Sequence, residues 1–325
     1  MFLCVSPNPA IDKRLTVPAL VRGQVNRVHA VQGFPGGKSA HVAMVLGTLG
    51  GSPRWIGPCG GVSGRELLAG LSALGIQATA CTTHQPTRTN LEIVEDDGTV
   101  TEILEPGSTP SLAEWHEFDS TCRSLFAEGS ENASVIFSGS LPAGAAPRLY
   151  ADLVTKAREF GCKTFLDTSG EPLRLALAEK PYFVKPNREE AAQLLGKPVS
   201  ALSDGVGALR QLLSLGAESA ALSLGSEGLL FCAGAGCTNA LRSRGATRAS
   251  FDSRLRRFGT GRICLRHRVS ICTSRNATTG SSLRSGKLHS GFSGCRQTRE
   301  YSRLSATNLR AHARLSRLQM GPWND

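Results

Sequence analysis

From residue 1 to residue 233 the chain repeats one unit: a short apolar run, a loop rich in glycine and serine, then an amphipathic stretch that ends on glycine. That unit constrains the fold more than any single motif does. A strand followed by a crossover helix sets the next strand parallel to the first, so the repeat predicts an α/β layer fold with a mostly parallel sheet. The apolar runs predict strands over 3–5, 134–137, 164–166 and 183–184. Helices are predicted over 39–49, 65–74, 147–160 and 188–195, the last three closed by Gly75, Gly161 and Gly196. A strand pair over 220–224 and 229–231 then turns around Gly225 and Gly228.

Two stretches are strand-like without intervening helices. One combines 11–17 with 25–31; the other is a hairpin, 89–95 and 99–104, around Asp96-Asp97-Gly98. Together they predict a small sheet outside the main one, drawn from about 11–33 and 88–105, that acts as a lid.

Three predicted strands run directly into small or polar loops: Ser138-Gly139-Ser140-Leu141-Pro142, Asp167-Thr168-Ser169-Gly170 and Lys185-Pro186-Asn187. Any one of these is an ordinary loop. Three in succession at the carboxyl ends of parallel strands mark the edge where open α/β sheets bind ligands. Gly36-Gly37-Lys38 leads into a helix, where free backbone N–H groups and a lysine suit an anion, although a tight turn needing positive φ explains the glycines equally well. Asn187 and Glu190, three apart at a helix start, suit either a hydrated Mg2+ near phosphate oxygens or a capping box, and the two do not exclude each other. Arg88 and Asn90 on the hairpin suit an anionic sugar phosphate; a lone arginine on a strand is otherwise simply solvated. His41 is expected on a packed or polar helix face rather than as a ligand.

The formal charge of +11 does not describe this body. Residues 1–233 hold 19 Lys and Arg against 23 Asp and Glu, whereas 234–325 hold 18 against 3, and 17 of those 18 are Arg. The tail, about a third Arg and Ser, shows no sustained helical or alternating period, so it is expected to be irregular. The chain has no apolar run long enough for a membrane span and no secretory signal at its start, and its ten scattered cysteines fit reduced thiols better than disulfides or zinc. A cytoplasmic protein without a membrane partner is expected.

The motifs occur in a recognisable order. Asn8-Pro9-Ala10-Ile11-Asp12, Gly36-Gly37-Lys38, Thr87-Arg88-Thr89-Asn90, the three strand-end loops with Arg188-Glu189-Glu190, and Ser223-Leu224-Gly225-Ser226-Glu227-Gly228 resemble the ribokinase-like (PfkB-type) carbohydrate kinases over about residues 2–232. The nearest branch is that of 1-phosphofructokinase and tagatose-6-phosphate kinase. The resemblance implies a three-layer ribokinase-like sandwich, a β lid that often mediates homodimerisation, and ATP with Mg2+ as cofactors. It implies that Asp12, Gly36, Gly37, Lys38, Arg88, Asn90 and Ser138 face a ketohexose phosphate such as fructose 1-phosphate or tagatose 6-phosphate. Lys185, Asn187, Ser223, Gly225 and Gly228 would serve ATP, with Asn187 and Glu190 at the metal.

Two departures stand out. His41 occupies a position where the family commonly has Asn. More seriously, the family's Gly-Ala/Ser-Gly-Asp motif, whose Asp takes the proton from the attacking hydroxyl, is missing roughly thirty residues beyond the Ser-Leu-Gly turn. Gly259-Thr260-Gly261-Arg262 is the nearest approximation, and arginine cannot accept a proton. Codon degeneracy permits Thr-Val-Gly-Ser-Gly-Asp-Ser-x-Leu-Ala-Gly-Phe when residues 252–263 are read one base later. A frameshift near 232–238 therefore accounts for both the missing motif and the basic tail, and predicts a kinase body, 1–233, with no catalytic base, followed by a tail, 234–325. The alternative is a sugar- or nucleotide-binding domain with a basic nucleic-acid-binding arm, but the tail lacks the clustered aromatics that base stacking needs, so nucleic acid is not an expected partner.

Overall fold

Phe2–Val5 forms strand β1, and its run of apolar residues has no polar alternation because both of its faces are covered. Leu3 and Val5 enter one hydrophobic cluster and Cys4 the other, on the opposite side of the sheet. The computed structural model describes residues 1–129, 133–234, 239–243 and 269–273. These lie in one compact unit, Met1–Arg275.

On one side of β1 lie β4 (Pro53–Cys59) and β5 (Gln77–Thr82), all parallel. On the other side follow β8 (Ser134–Ser138), β9 (Lys163–Asp167), β10 (Phe183–Val184) and β11 (Ser219–Ser223), also parallel. Direction then reverses: β12 (Leu229–Ala233), β13 (Asn239–Ser243) and β14 (Val269–Thr273) each pair antiparallel to the preceding strand. β13 and β14 are the described strands within the basic stretch expected to be irregular.

Helices α1 (Lys38–Thr48) and α2 (Gly61–Ala73) bury Ala40, Ala43, Leu67 and Leu71 with Trp55 against one face. The other face carries α3 (Leu112–Gly129), α4 (Leu149–Glu159), α5 (Gly170–Leu177), α6 (Arg188–Leu195) and α7 (Leu202–Ser214). Their apolar stripes pack with Val135, Phe137, Leu166, Val184 and Leu222 into the larger cluster. The architecture is thus the expected three-layer α/β sandwich. No helix among the described residues is long and apolar enough to cross a membrane.

The predicted small sheet exists, with the order β3-β2-β6-β7: β2 (Ala10–Val17), β3 (Ala30–Gly36), β6 (Arg88–Glu95) and β7 (Val100–Leu104). Its second strand begins later than the predicted 25–31. Asn26 explains the offset, because its side chain accepts from the Val21 N–H and donates to the Val21 and Gln24 carbonyls, holding this segment as a loop. The ladder then carries β3 down to Gly36, opposite Ala10.

Candidate functional site

The carboxyl ends of β8 to β11 are laced together by their backbones. Gly139 N–H donates to Asp167 O (2.9 Å), Lys185 N–H to Leu166 O (3.2 Å) and Ser223 N–H to Pro186 O (3.2 Å), while Asn187 bridges Ser223. The loops singled out in the sequence therefore stand side by side as one edge. Tyr150, wholly buried on α4, donates its hydroxyl to Gly139 O at 3.0 Å and fixes the first of them.

Charge is concentrated here. Lys38 Nζ lies 3.5 Å from Asp167 Oδ1 and 3.8 Å from Glu190 Oε1, and Lys185 Nζ lies 3.3 Å from Asp167 Oδ2. Lys38, expected to face a sugar phosphate, thus points toward the carboxylates beside Asn187. Asp167, quoted from the sequence only as part of a loop, stands at the centre of the cluster. Its signal was its place immediately after an apolar strand.

Asn187 and Glu190 do form the capping box of α6. Asn187 Oδ1 accepts from Glu190 N–H at 2.7 Å, and Glu190 Oε2 accepts from Asn187 N–H at 2.8 Å. This leaves Glu190 Oε1, directed toward Lys38, as the free oxygen of that pair. Glu190 and Asp167 give two carboxylates near one another, the hard oxygen donors that a largely hydrated Mg2+ accepts, whereas Asn187 Oδ1 is already engaged by the helix. At the far end, Gly225 (φ 58°) and Gly228 (φ 102°) allow the tight turn after Ser223, and Arg188 Nη2 pins that turn through Glu227 at 2.7 Å.

In the small sheet, β2 and β6 set Asp12 opposite Asn90, whose Nδ2 donates to Asp12 Oδ1 at 2.8 Å. His41 Nε2 lies 2.9 Å from Asp12 Oδ2. Burial pushes the Asp12 carboxyl up, but hydrogen bonds from His41 and Asn90, the His41 charge and the Gly37 N–H outweigh it and hold the group below its ordinary value. Asp12 is therefore a firm carboxylate at neutral pH. Gly36 lies directly behind it, and Gly37 (φ 82°) precedes α1 without a side-chain cap, so the positive-φ explanation holds for the second glycine and close approach to Asp12 for the first.

Arg88 reaches the seam between the small sheet and the segment after β1. Its guanidinium donates to three backbone carbonyls: Glu105 O at 2.8 Å, Asn8 O at 3.2 Å and Pro9 O at 3.4 Å. Burial pulls it below its ordinary value against the charges of Asp12 and Glu105. It clips the small sheet to the segment after β1, leaving one N–H on each terminal nitrogen for an anion. Asn8 completes that seam by donating to Pro106 O and Ser140 Oγ. Ser138 is buried at the end of β8. The stretch 259–262, where a base was sought in the sequence, lies outside the described residues.

Residues 7–244 match the model of the pfkB family carbohydrate kinases. The chain is 35% identical over 232 residues to a 1-phosphofructokinase of Rhodobacter capsulatus, covering 71% of this chain and 73% of that protein. It is 34% identical over 231 residues to a tagatose-6-phosphate kinase of Staphylococcus epidermidis, covering 70% and 73%. Among solved structures, phosphofructokinase-2 from Escherichia coli in complex with fructose-6-phosphate superposes with a TM-score of 0.68 at 27% identity, over 73% of this chain and 78% of that one.

Proposed function

Because the chain belongs to the pfkB family of carbohydrate kinases, we propose that its cleft binds Mg·ATP and a ketohexose phosphate of the fructose 1-phosphate or tagatose 6-phosphate type, and that the chain as it stands turns them over poorly. One observation carries the binding half of this reading. Among the described residues, Asn90 Oδ1, Ser138 Oγ and Thr168 Oγ1 are buried side-chain atoms without a hydrogen-bond partner, and all three stand on β6 or at the strand-end edge. Each such atom costs about 1–3 kcal/mol unless something supplies its partner. A polyhydroxylated, anionic ligand supplies several at once.

In this reading Asp12 accepts hydrogen bonds from sugar hydroxyls and orients them, with Gly36 and Gly37 admitting the sugar close to the backbone. The open N-terminus of α1 and the remaining N–H groups of Arg88 attract the sugar's phosphate. Lys38 and Lys185, now balanced by Asp167 and Glu190, hold nucleotide phosphates when those carboxylates turn to a cation. Asp167 and Glu190 are the residues that would hold Mg2+, which neutralises charge on the transferring phosphate. Ser223, Asn187 and the Gly225–Gly228 turn border the nucleotide's end of the edge. The Asp expected as base is missing from the sequence, and Arg262 cannot accept a proton. The same reading ends the kinase body at 233, treats 234–325 as out-of-frame, and allows two small sheets to pair through exposed Val31, Ile103 and Leu104 in a cytoplasmic homodimer.

Calorimetry with fructose 1-phosphate, tagatose 6-phosphate and Mg·ATP, alongside a coupled ADP-release assay, tests both halves. Saturable binding with turnover lowered about 10²–10⁴-fold, the usual worth of a general base, is expected. Failure to bind either sugar phosphate removes the acceptor assignment, and turnover at rates ordinary for a kinase removes the missing-base argument. Nucleotide sequence across codons 225–265 decides the frame: an early stop, or no Gly-Ser-Gly-Asp in the shifted frame, ends that explanation.

A further inference from the structure

His41 stands on the first turn of α1, its backbone N–H bonded to Gly37 O at 3.2 Å. The side chain leans out of the core toward the small sheet. Its Nε2 meets Asp12 Oδ2 at 2.9 Å while Asn90 Nδ2 meets Asp12 Oδ1 at 2.8 Å, so the carboxylate is gripped from both sides by two different elements. The imidazole is half exposed and the carboxylate it covers is only about one-fifth exposed. Behind them there is no slack: a methyl group on Gly36 would stand 2.3 Å from Asp12 Oδ1.

We propose that His41 is a positioning residue for the acceptor sugar, acting through Asp12 rather than by touching the ligand. The inference rests on the acceptor-site reading of the cleft. A carboxylate offers about four lone-pair sites. With sites committed to His41, to Asn90 and to the Gly37 N–H, its plane and tilt are fixed, and the remaining acceptor site is turned to a hydroxyl of a ketose phosphate. Without His41 the carboxylate keeps its charge but loses one of the two side-chain contacts that define its rotamer, and small displacements of an orienting group weaken recognition sharply. Only a side chain long enough to carry a donor to the Nε2 position can do this from α1. Glutamine has that reach; asparagine places its amide nearer the Nδ1 position and falls short of Asp12.

This difference gives the test. Fructose 1-phosphate is titrated calorimetrically into the full chain and into His41→Gln, His41→Asn and His41→Ala, and the Asn90 side-chain amide resonances of the ligand-free proteins are recorded by NMR. Affinity within about twofold of the unaltered chain is expected for His41→Gln, and about tenfold weaker for His41→Asn and His41→Ala, the effect of losing a hydrogen bond to a charged group. The Asn90 amide should move in the latter two and stay in place in His41→Gln. Tight binding by His41→Asn with weak binding by His41→Gln would show the ring contacting the sugar directly and overturn the proposal, as would three variants that bind like the unaltered chain. If the unaltered chain binds neither fructose 1-phosphate nor tagatose 6-phosphate, the kinase reading fails on its own, and Asn90 resonances unmoved in His41→Ala still overturn the role given to His41.

Discussion

A methyl group does not fit at position 36. Its Cβ would lie 2.3 Å from Asp12 Oδ1 and 2.4 Å from Asp12 Cγ, and neither atom is the free end of a flexible chain, because His41 and Asn90 hold the carboxylate in place. Gly36→Ala is therefore expected to displace Asp12 rather than to unfold the protein, costing about 1–3 kcal/mol of stability and at least about tenfold in fructose 1-phosphate affinity. Urea denaturation and calorimetry on the same sample check the pair, and unchanged affinity would count against Asp12 as the sugar's acceptor. The Gly-Gly pair is visible in the sequence, although a tight turn alone would account for it equally well. What Arg88 and His41 do was not visible. The carbonyls of Asn8 and Pro9 reach Arg88 through the pairing of β2 with β6, that of Glu105 through the hairpin β6–β7, and the Asp12 carboxylate of β2 reaches His41 only where α1 comes beside it.

At the scale of single elements, α6 is the clearest case of local sequence dictating structure. Its capping box and its left-handed Gly196 terminus are written within residues 187–196 and need no tertiary partner. Asn187→Ala should cost about 1 kcal/mol, while Asn187→Ser should recover most of it; both are read from thermal melts. A loss of Mg·ATP affinity in the serine variant, with stability restored, would separate a ligand role for the amide from its helix-capping role. The strands β1, β8, β9 and β10 and the hairpin β6–β7 were equally legible from apolar runs and turn residues. β4 was not: Pro53-Arg54-Trp55-Ile56-Gly57-Pro58-Cys59 reads as a loop. Its prolines sit at the first residue and near the end of the strand, and Gly57 is demanded by Trp55, whose ring would lie 2.6 Å from an added Cβ. Helix α3 has a narrow buried stripe, Phe118, Cys122, Leu125 and Phe126, within a polar segment, and the sequence reading passes over it.

For the molecule as a whole, the two faces of the sheet differ. Phe137 is fully buried against Phe126 and Tyr150, edge to face with each. On the other face Phe165, Phe183 and Phe231 form a contiguous row across β9, β10 and β12, each only partly buried. Phe137→Ala should therefore cost about 3–5 kcal/mol, and Phe165→Ala distinctly less, by urea denaturation. Equal losses would mean that the second face is covered as completely as the first.

The small sheet also has a history built into it. Asp12 and Asn90 meet across β2 and β6 yet are 78 residues apart in the chain, and the strands β1, β4 and β5 of the main sheet lie between or beside them in sequence. The entropy of closing so long a loop falls on this contact unless the intervening strands have already gathered its ends. As the chain emerges from synthesis, Asp12 is among the first residues out, but its partner arrives only after two layers can assemble around β1. The Asp12–Asn90 contact thus reports whether the first hundred or so residues have folded together.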